Sequence, residues 1–244
     1  MRHLASVELL MLLLIPLVYI VSWTDYILSA SLTLALLIIA LLRYHQQADL
    51  KFLFLGMILG GIGEYFCVQA GVWIYRKPFL FGIPLWLPPF WGYAFLLMNR
   101  WGERLLGPEV RRSDWPLLLR GSYLFFQYLM LIGLTVGFSE RNLILFGCLL
   151  ILGLFNLAHS SRMDRFFALI FPIMGVALEL IAVHSKIWYY DNPDFFGLPF
   201  WLPLLYLNFA IFIRKTVRFM SDHMTKSSLH WNKGEQQPEG ISGG

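Results

Sequence analysis

Long apolar runs separated by short polar stretches make up most of the chain. Eight runs lie at about 5–22, 26–42, 52–74, 86–99, 117–137, 142–158, 166–186 and 200–214. Each is near the roughly 20 residues that a helix needs to cross a bilayer. The fourth and eighth are the shortest and begin in Pro-rich sequence, so either is expected to start as a bent or re-entrant segment. The opening "MRHLASVELLMLLLIPLVYIV" has a basic residue and an apolar core, as a signal peptide does, and Ser29-Ala30-Ser31 imitate a cleavage site. Those small residues sit inside a second apolar run that continues to Leu42, so the first run reads as a retained span. After Lys215 the apolar pattern fades. The polar stretch "SDHMTKSSLHWNKGEQQPEGISGG" reads as a disordered cytoplasmic tail, with His223 and His230 in it.

Composition and charge support this reading. The chain is 58% hydrophobic and 14% charged, against about a quarter charged in soluble domains. With the N-terminus in the cytoplasm, alternating spans place 15 of the 19 Lys and Arg on the inner side. The other four, Arg76, Lys77, Arg141 and Lys186, fall outside. That bias predicts a multi-pass cell-membrane protein with both termini cytoplasmic, and it accounts for the net charge of +4 without a nucleic-acid partner.

A repeat runs through the pattern at a constant offset of 115 residues. Glu64 pairs with Glu179, Trp73 with Trp188, Tyr75 with Tyr190, Gly82 with Gly197, Pro84 with Pro199 and Trp86 with Trp201, without a gap. Glu, Trp, Tyr, Pro and Gly seldom align by chance. The same offset maps spans one to four onto spans five to eight, and four crossings return the chain to the same side. The expected fold is an all-α polytopic membrane protein of eight transmembrane helices, arranged as two parallel four-helix repeats. The expected divisions are 1–110, 111–220 and a tail at 221–244.

The duplicated residues carry the candidate chemistry. Glu64 lies about 18 Å from the inner end of its span at the usual helical rise, where an ionisable group normally faces the bundle interior or a watery cavity. A carboxylic acid that keeps its proton there can act as a proton donor. It can also tie helices together by hydrogen bonds. Trp73, Tyr75, Trp188 and Tyr190 either belong to an interfacial aromatic belt or roof a cavity floored by the glutamates. The loops "FGIPLWLPP" and "FGLPFWLPL" combine a glycine that permits an unusual turn with prolines that prevent regular helix, so each is expected to fold back on its bundle. Gln69 and His184 occupy equivalent positions, and His184 reads as a surface histidine or a proton relay. Gln127, Asn156 and Asn208 are further polar groups within spans. Cys67 and Cys148 read as packing thiols. No HExxH, GxSxG, Walker A or GxGxxG context occurs, and the histidines lack metal spacing.

A membrane glutamate followed by W-x-Y, Gly-x-Pro and Trp resembles the carotenoid-biosynthesis membrane proteins, the carotenoid hydratase and lycopene-cyclase-like group. The resemblance covers roughly 37 residues in each half, from Glu64 to beyond Trp86 and from Glu179 to beyond Trp201. It implies a membrane carotenoid or terpenoid hydratase or cyclase that works without a cofactor. Glu64 and Glu179 would be its catalytic acids, and Trp73, Tyr75, Trp86, Trp188, Tyr190 and Trp201 would bind substrate. A lipophilic substrate would enter from the membrane lipid, and aromatic faces would stabilise developing positive charge. Lycopene-cyclase-type domains carry an acidic pair just after the loop proline, whereas here Pro84 and Pro199 are followed by Leu85-Trp86 and Phe200-Trp201. That absence speaks against cyclase activity of that type. Three functions stand at this point: an enzyme acting on an isoprenoid-like lipid by acid–base chemistry, a proton-coupled transporter or lipid carrier, and a non-catalytic membrane scaffold subunit.

Overall fold

A computed structural model describes residues 23–44, 46–107 and 116–234. Seven helices and one short ribbon appear among them: α1 (Tyr26–Arg43), α2 (Gln47–Gln69), β1 (Trp73–Tyr75), α3 (Leu87–Leu106), α4 (Leu117–Phe138), α5 (Asn142–Ala158), α6 (Arg162–His184), β2 (Trp188–Tyr190) and α7 (Leu202–Gly234). The run expected at 5–22 lies outside the described residues. Four helices (Tyr26–Arg43, Gln47–Gln69, Leu118–Phe138 and Arg162–His184) are long and apolar enough to cross a membrane by length and composition, and Asn142–Ala158 is a shorter apolar helix.

The distribution of apolar side chains fixes the solvent. Ile27, Ile38 and Leu42 on α1, Ile58 on α2, Phe125 and Phe126 on α4, Ile151 on α5 and Ile173 on α6 all point outward. Water would penalise so continuous an apolar perimeter, whereas lipid does not. The chain is a multi-pass, predominantly helical membrane protein. The helices α3 and α7 lie within the bundle, α3 against α2 and α6, and α7 against α6, α5, α4 and α2. Their enclosure explains why their apolar runs are short and mixed with polar residues. Asn99, Asn208, Arg214 and Lys215 are all buried there and find partners in protein.

Glycines set the closest helix approach. Gly56 and Gly60 stand four residues apart on α2 and face α3. A Cβ on Gly56 would lie 2.9 Å from the Gly92 Cα, and one on Gly60 would overlap the Trp91 side chain. Such spacing lets two backbones pack almost in contact. Beside this crossing Trp91, Phe95, Phe171, Tyr206 and Phe209 form an aromatic column, in which the Phe95 and Phe171 rings stack at 4.6 Å.

Buried charges close the other end of α3 and α7. Arg100 pairs with Asp49, and Asp164 faces Arg214 at 3.4 Å and Arg218 at 3.6 Å. Asp164 also completes a capping box with Ser161, which satisfies amide groups at the start of α6. Arg214 Nη1 donates to Asn99 Oδ1 at 2.9 Å, which links α7 to α3.

Three expectations change. The ribbon is an addition to an otherwise helical fold: β1 and β2 pair antiparallel, Trp73 with Tyr190, Ile74 with Tyr189 and Tyr75 with Trp188. Non-helical backbone between spans must satisfy its own polar groups, and W-x-Y alternation does so while burying Trp73, Tyr75 and Tyr190. The eighth span, expected at 200–214, continues as α7 to Gly234. The tail expected from 221 is therefore corrected as far as Gly234, because no Pro or Gly intervenes before it and extending a helix needs no new nucleus. Residues 235–244 lie outside the described residues.

The turns after the ribbon are tight. Phe81 and Gly82 both have positive φ, 55° and 83°, and so do Phe196 and Gly197, 53° and 82°. Each pair spans a two-residue turn closed by backbone bonds between Leu80 and Ile83, or between Phe195 and Leu198.

Candidate ligand-binding site

Glu64 and Glu179 meet near the centre of the bundle, each beneath one strand of the ribbon. Glu64 Oε2 accepts from Trp73 Nε1 at 2.8 Å and from Tyr75 Oη at 2.9 Å, while Oε1 accepts from Trp91 Nε1 at 3.1 Å. Glu179 Oε2 accepts from Trp188 Nε1 at 2.8 Å and Oε1 from Tyr206 Oη at 2.7 Å. Both carboxyls are buried. Glu64 gathers three aromatic ring donors and Glu179 two, each from its own half of the chain.

Local structure explains the convergence. The Gly71 backbone, at φ 75°, ends α2 with bonds from Gly71 N to Val68 O and from Val72 N to Cys67 O, the left-handed stop described for helix C-termini. Lys186, at φ 59°, makes the equivalent stop after α6. Each turn swings the following strand back over its own glutamate. Alternation along the strand then aims Trp73 and Tyr75, or Trp188 and Tyr190, at the same carboxyl.

Two cavities flank this pair. The first, about 70 Å³, lies between α3 and α6. Glu64, Tyr75, Trp86, Trp91, Glu179 and Trp188 line it, with an apolar wall that includes Phe90, Ala94, Met174 and Gly175. The second, also about 70 Å³, lies between α2, α4 and α7. Glu64 and Glu179 border it too, with Cys67, Trp73, Tyr128 and Tyr190. A mostly apolar wall with a few convergent polar groups is the usual make-up of small-molecule sites.

The structure thus gathers Glu64, Glu179, Trp73, Tyr75, Trp86, Trp188 and Tyr190 around the cavities. Trp201 is not among the residues lining either cavity. It is buried, donates to Asn142 Oδ1 at 2.8 Å and meets the Tyr190 ring edge-on. Sequence reasoning missed Trp91 and Tyr206, the donors that come from α3 and α7. Both stand 27 residues after their glutamates and are related by the offset of 115, a signal visible in the repeat but masked by the abundance of aromatic residues. Gln69 supports a loop by donating to Phe81 O at 2.9 Å. His184 is exposed and its Nδ1 lies 2.7 Å from Leu180 O, on its own helix. Among the described residues no cluster of His, Cys, Asp and Glu could hold a metal ion.

No family model and no curated protein matches the chain. Two solved structures share its fold. One is a mycobacterial Insig homolog, MvINS from Mycobacterium vanbaalenii, with a TM-score of 0.57 and 17% identity over 70% of this chain and 93% of that one. The other is a cross-linked trimer of an MvINS variant, with a TM-score of 0.57 and 17% identity over 71% of this chain and 96% of that one. These neighbours correct the expectation of an enzyme acting on an isoprenoid or carotenoid-like lipid by hydration or cyclisation, because they are Insig homologues rather than carotenoid-biosynthesis proteins. The two carboxyls accept from rings that join ribbon and helices. In fold, the chain is similar to the Insig homologues.

Proposed function

We propose that the chain is a non-catalytic membrane scaffold that holds a lipophilic small molecule bearing a hydroxyl group in the cavity between α3 and α6. The observation that carries this reading is the state of the carboxyls. Five ring donors are already committed, three to Glu64 and two to Glu179, and a carboxylate offers about four acceptor positions. Acceptor positions therefore remain on both acids, which border an apolar cavity of about 70 Å³. A site that offers acceptors and apolar walls selects a ligand with one donor on a hydrocarbon body. We read the motif likeness to the carotenoid-biosynthesis group as a shared way of packing W-x-Y over an acid.

Native mass spectrometry of the protein in nanodiscs, with 1-hexadecanol and hexadecane as probes, tests the reading. The alcohol is expected to bind at least about tenfold more tightly than the alkane, since a hydrogen bond to a charged group contributes roughly 1.5–3 kcal/mol. It should be recovered chemically unchanged. Ala94→Phe, which fills the cavity wall, should weaken binding by a similar factor. Equal affinity for alcohol and alkane would remove the polar recognition, and a converted product would restore an enzymatic reading.

We also infer eight spans in two parallel repeats, with both termini cytoplasmic. Several observations support this. The bounds of α2 and α6, and those of β1 and β2, are each related by the offset of 115. The ribbon pairs Trp73 with Tyr190 and Tyr75 with Trp188, a register that maps onto itself when the halves are exchanged, as a twofold contact does. The counterpart of α4 is the apolar run that begins the chain, and the Lys and Arg bias supports the orientation. A reporter fused after Gly244 should be active only in the cytoplasm; activity on the opposite side would overturn the inferred topology.

A further inference from the structure

We propose that the cavity between α2, α4 and α7 is a second binding site, distinct from the one between α3 and α6, for a lipophilic alcohol. The proposal rests on the reading above. The two cavities are quasi-equivalent. The offset of 115 carries the wall of one onto the wall of the other: Gly60 onto Gly175, Cys67 onto Ala182, Trp73 onto Trp188, and Leu87 onto Leu202. Glu64, Trp91, Glu179 and Tyr206 border both and form the partition between them. A duplication that copied the wall copied the pocket.

The differences decide what each pocket accepts. Phe209 stands in the second cavity where Ala94 stands in the first, and α4 contributes Tyr128, Leu131, Ile132 and Thr135 to the second. The polar chemistry is again that of acceptors. Tyr128 donates its hydroxyl proton to Leu59 O at 2.6 Å, and Thr135 donates to Leu131 O at 2.8 Å. Their oxygens keep acceptor capacity, while the Trp73 and Tyr206 donors are directed at the carboxyls. A ligand here brings its own donor.

Cys67 makes the second site addressable, because it lines this cavity while Ala182 takes its place in the other. In the full chain with Cys148→Ser, 1-dodecanol is expected to slow modification of Cys67 by N-ethylmaleimide at least fivefold. Protection should persist in Ala94→Phe, which obstructs only the first cavity, and should disappear in Ile132→Trp or, more mildly, Thr135→Leu. Native mass spectra should count two dodecanol equivalents on the parent, one on Ala94→Phe and one on Ile132→Trp. If Cys67 does not react in the unliganded protein, these counts decide alone. A single equivalent on the parent that vanishes in Ala94→Phe, or protection lost in Ala94→Phe, overturns the second site and leaves the first standing. No bound alcohol at all overturns the reading on which both depend.

Discussion

Replacing Glu64 by Leu, or Glu179 by Leu, is expected to destabilise the protein by about 3 kcal/mol or more, because each substitution strands several buried donors at roughly 1–3 kcal/mol apiece. For Glu64 the stranded groups are Trp73 Nε1, Tyr75 Oη and Trp91 Nε1. For Glu179 they are Trp188 Nε1 and Tyr206 Oη. The loss is cooperative, because each acid holds its strand of the ribbon to the helices below. When one strand is released, the partner strand loses its backbone bonds as well. Glu64→Gln keeps one acceptor oxygen and turns an amide N–H₂ towards a donor, so its cost should be smaller, about half. Removing one donor with Tyr75→Phe should cost only about 1 kcal/mol. Thermal unfolding in detergent would rank the four variants in that order. A Glu64→Leu variant as stable as the parent would mean that the three ring donors find other partners.

Gly92→Leu on α3 should be as damaging, with a loss of at least about 3 kcal/mol or failure to insert as a folded bundle. A Cβ at this position would fall on the Leu53 carbonyl oxygen and lie 2.7 Å from Met57 Cγ, so α2 and α3 would have to separate. Overpacking of a filled core typically costs 1–3 kcal/mol. Here the obstacle is backbone, which cannot change rotamer. Gly92→Ala should fall in that range. Gly133→Leu on α4 is the control, since a Cβ there meets nothing within 4 Å. Similar yields of folded monomer for Gly92→Leu and Gly133→Leu, measured by gel filtration in detergent, would show that the close crossing of α2 and α3 is dispensable. Separation of those helices would also displace Trp91, which follows α3 into the partition between the cavities. The variant should therefore lose alcohol binding together with stability.

The similarity to Insig homologues concerns the backbone path, which at 17% identity is what is shared. The partition between the two cavities consists of two acids and two rings, Glu64 with Trp91 and Glu179 with Tyr206, related by the offset of 115. In the function proposed above, this assembly holds a ligand.

Much of this was legible in the chain itself. The bilayer imposes a minimum length of apolar helix, so α1, α2, α4, α5 and α6 stood out as runs. The gapless offset of 115 brought Glu64, Trp73 and Tyr75 into register with Glu179, Trp188 and Tyr190, because the spacing of Glu, Trp and Tyr is information that lipid does not demand. Only the tertiary structure decided what those residues do. Which donor reaches which oxygen depends on the left-handed stops at Gly71 and Lys186 and on strand pairing between segments 115 residues apart, and neither has a periodic signature. Trp91 and Tyr206 stayed hidden for the same reason: among many aromatic residues, only their placement across from a carboxyl distinguishes them. The sequence determined the apolar membrane helices because those follow from transfer of side chains into lipid, one position at a time. The cavities, and the use of the acids as acceptors, arise from contacts between distant segments, which only packing can select.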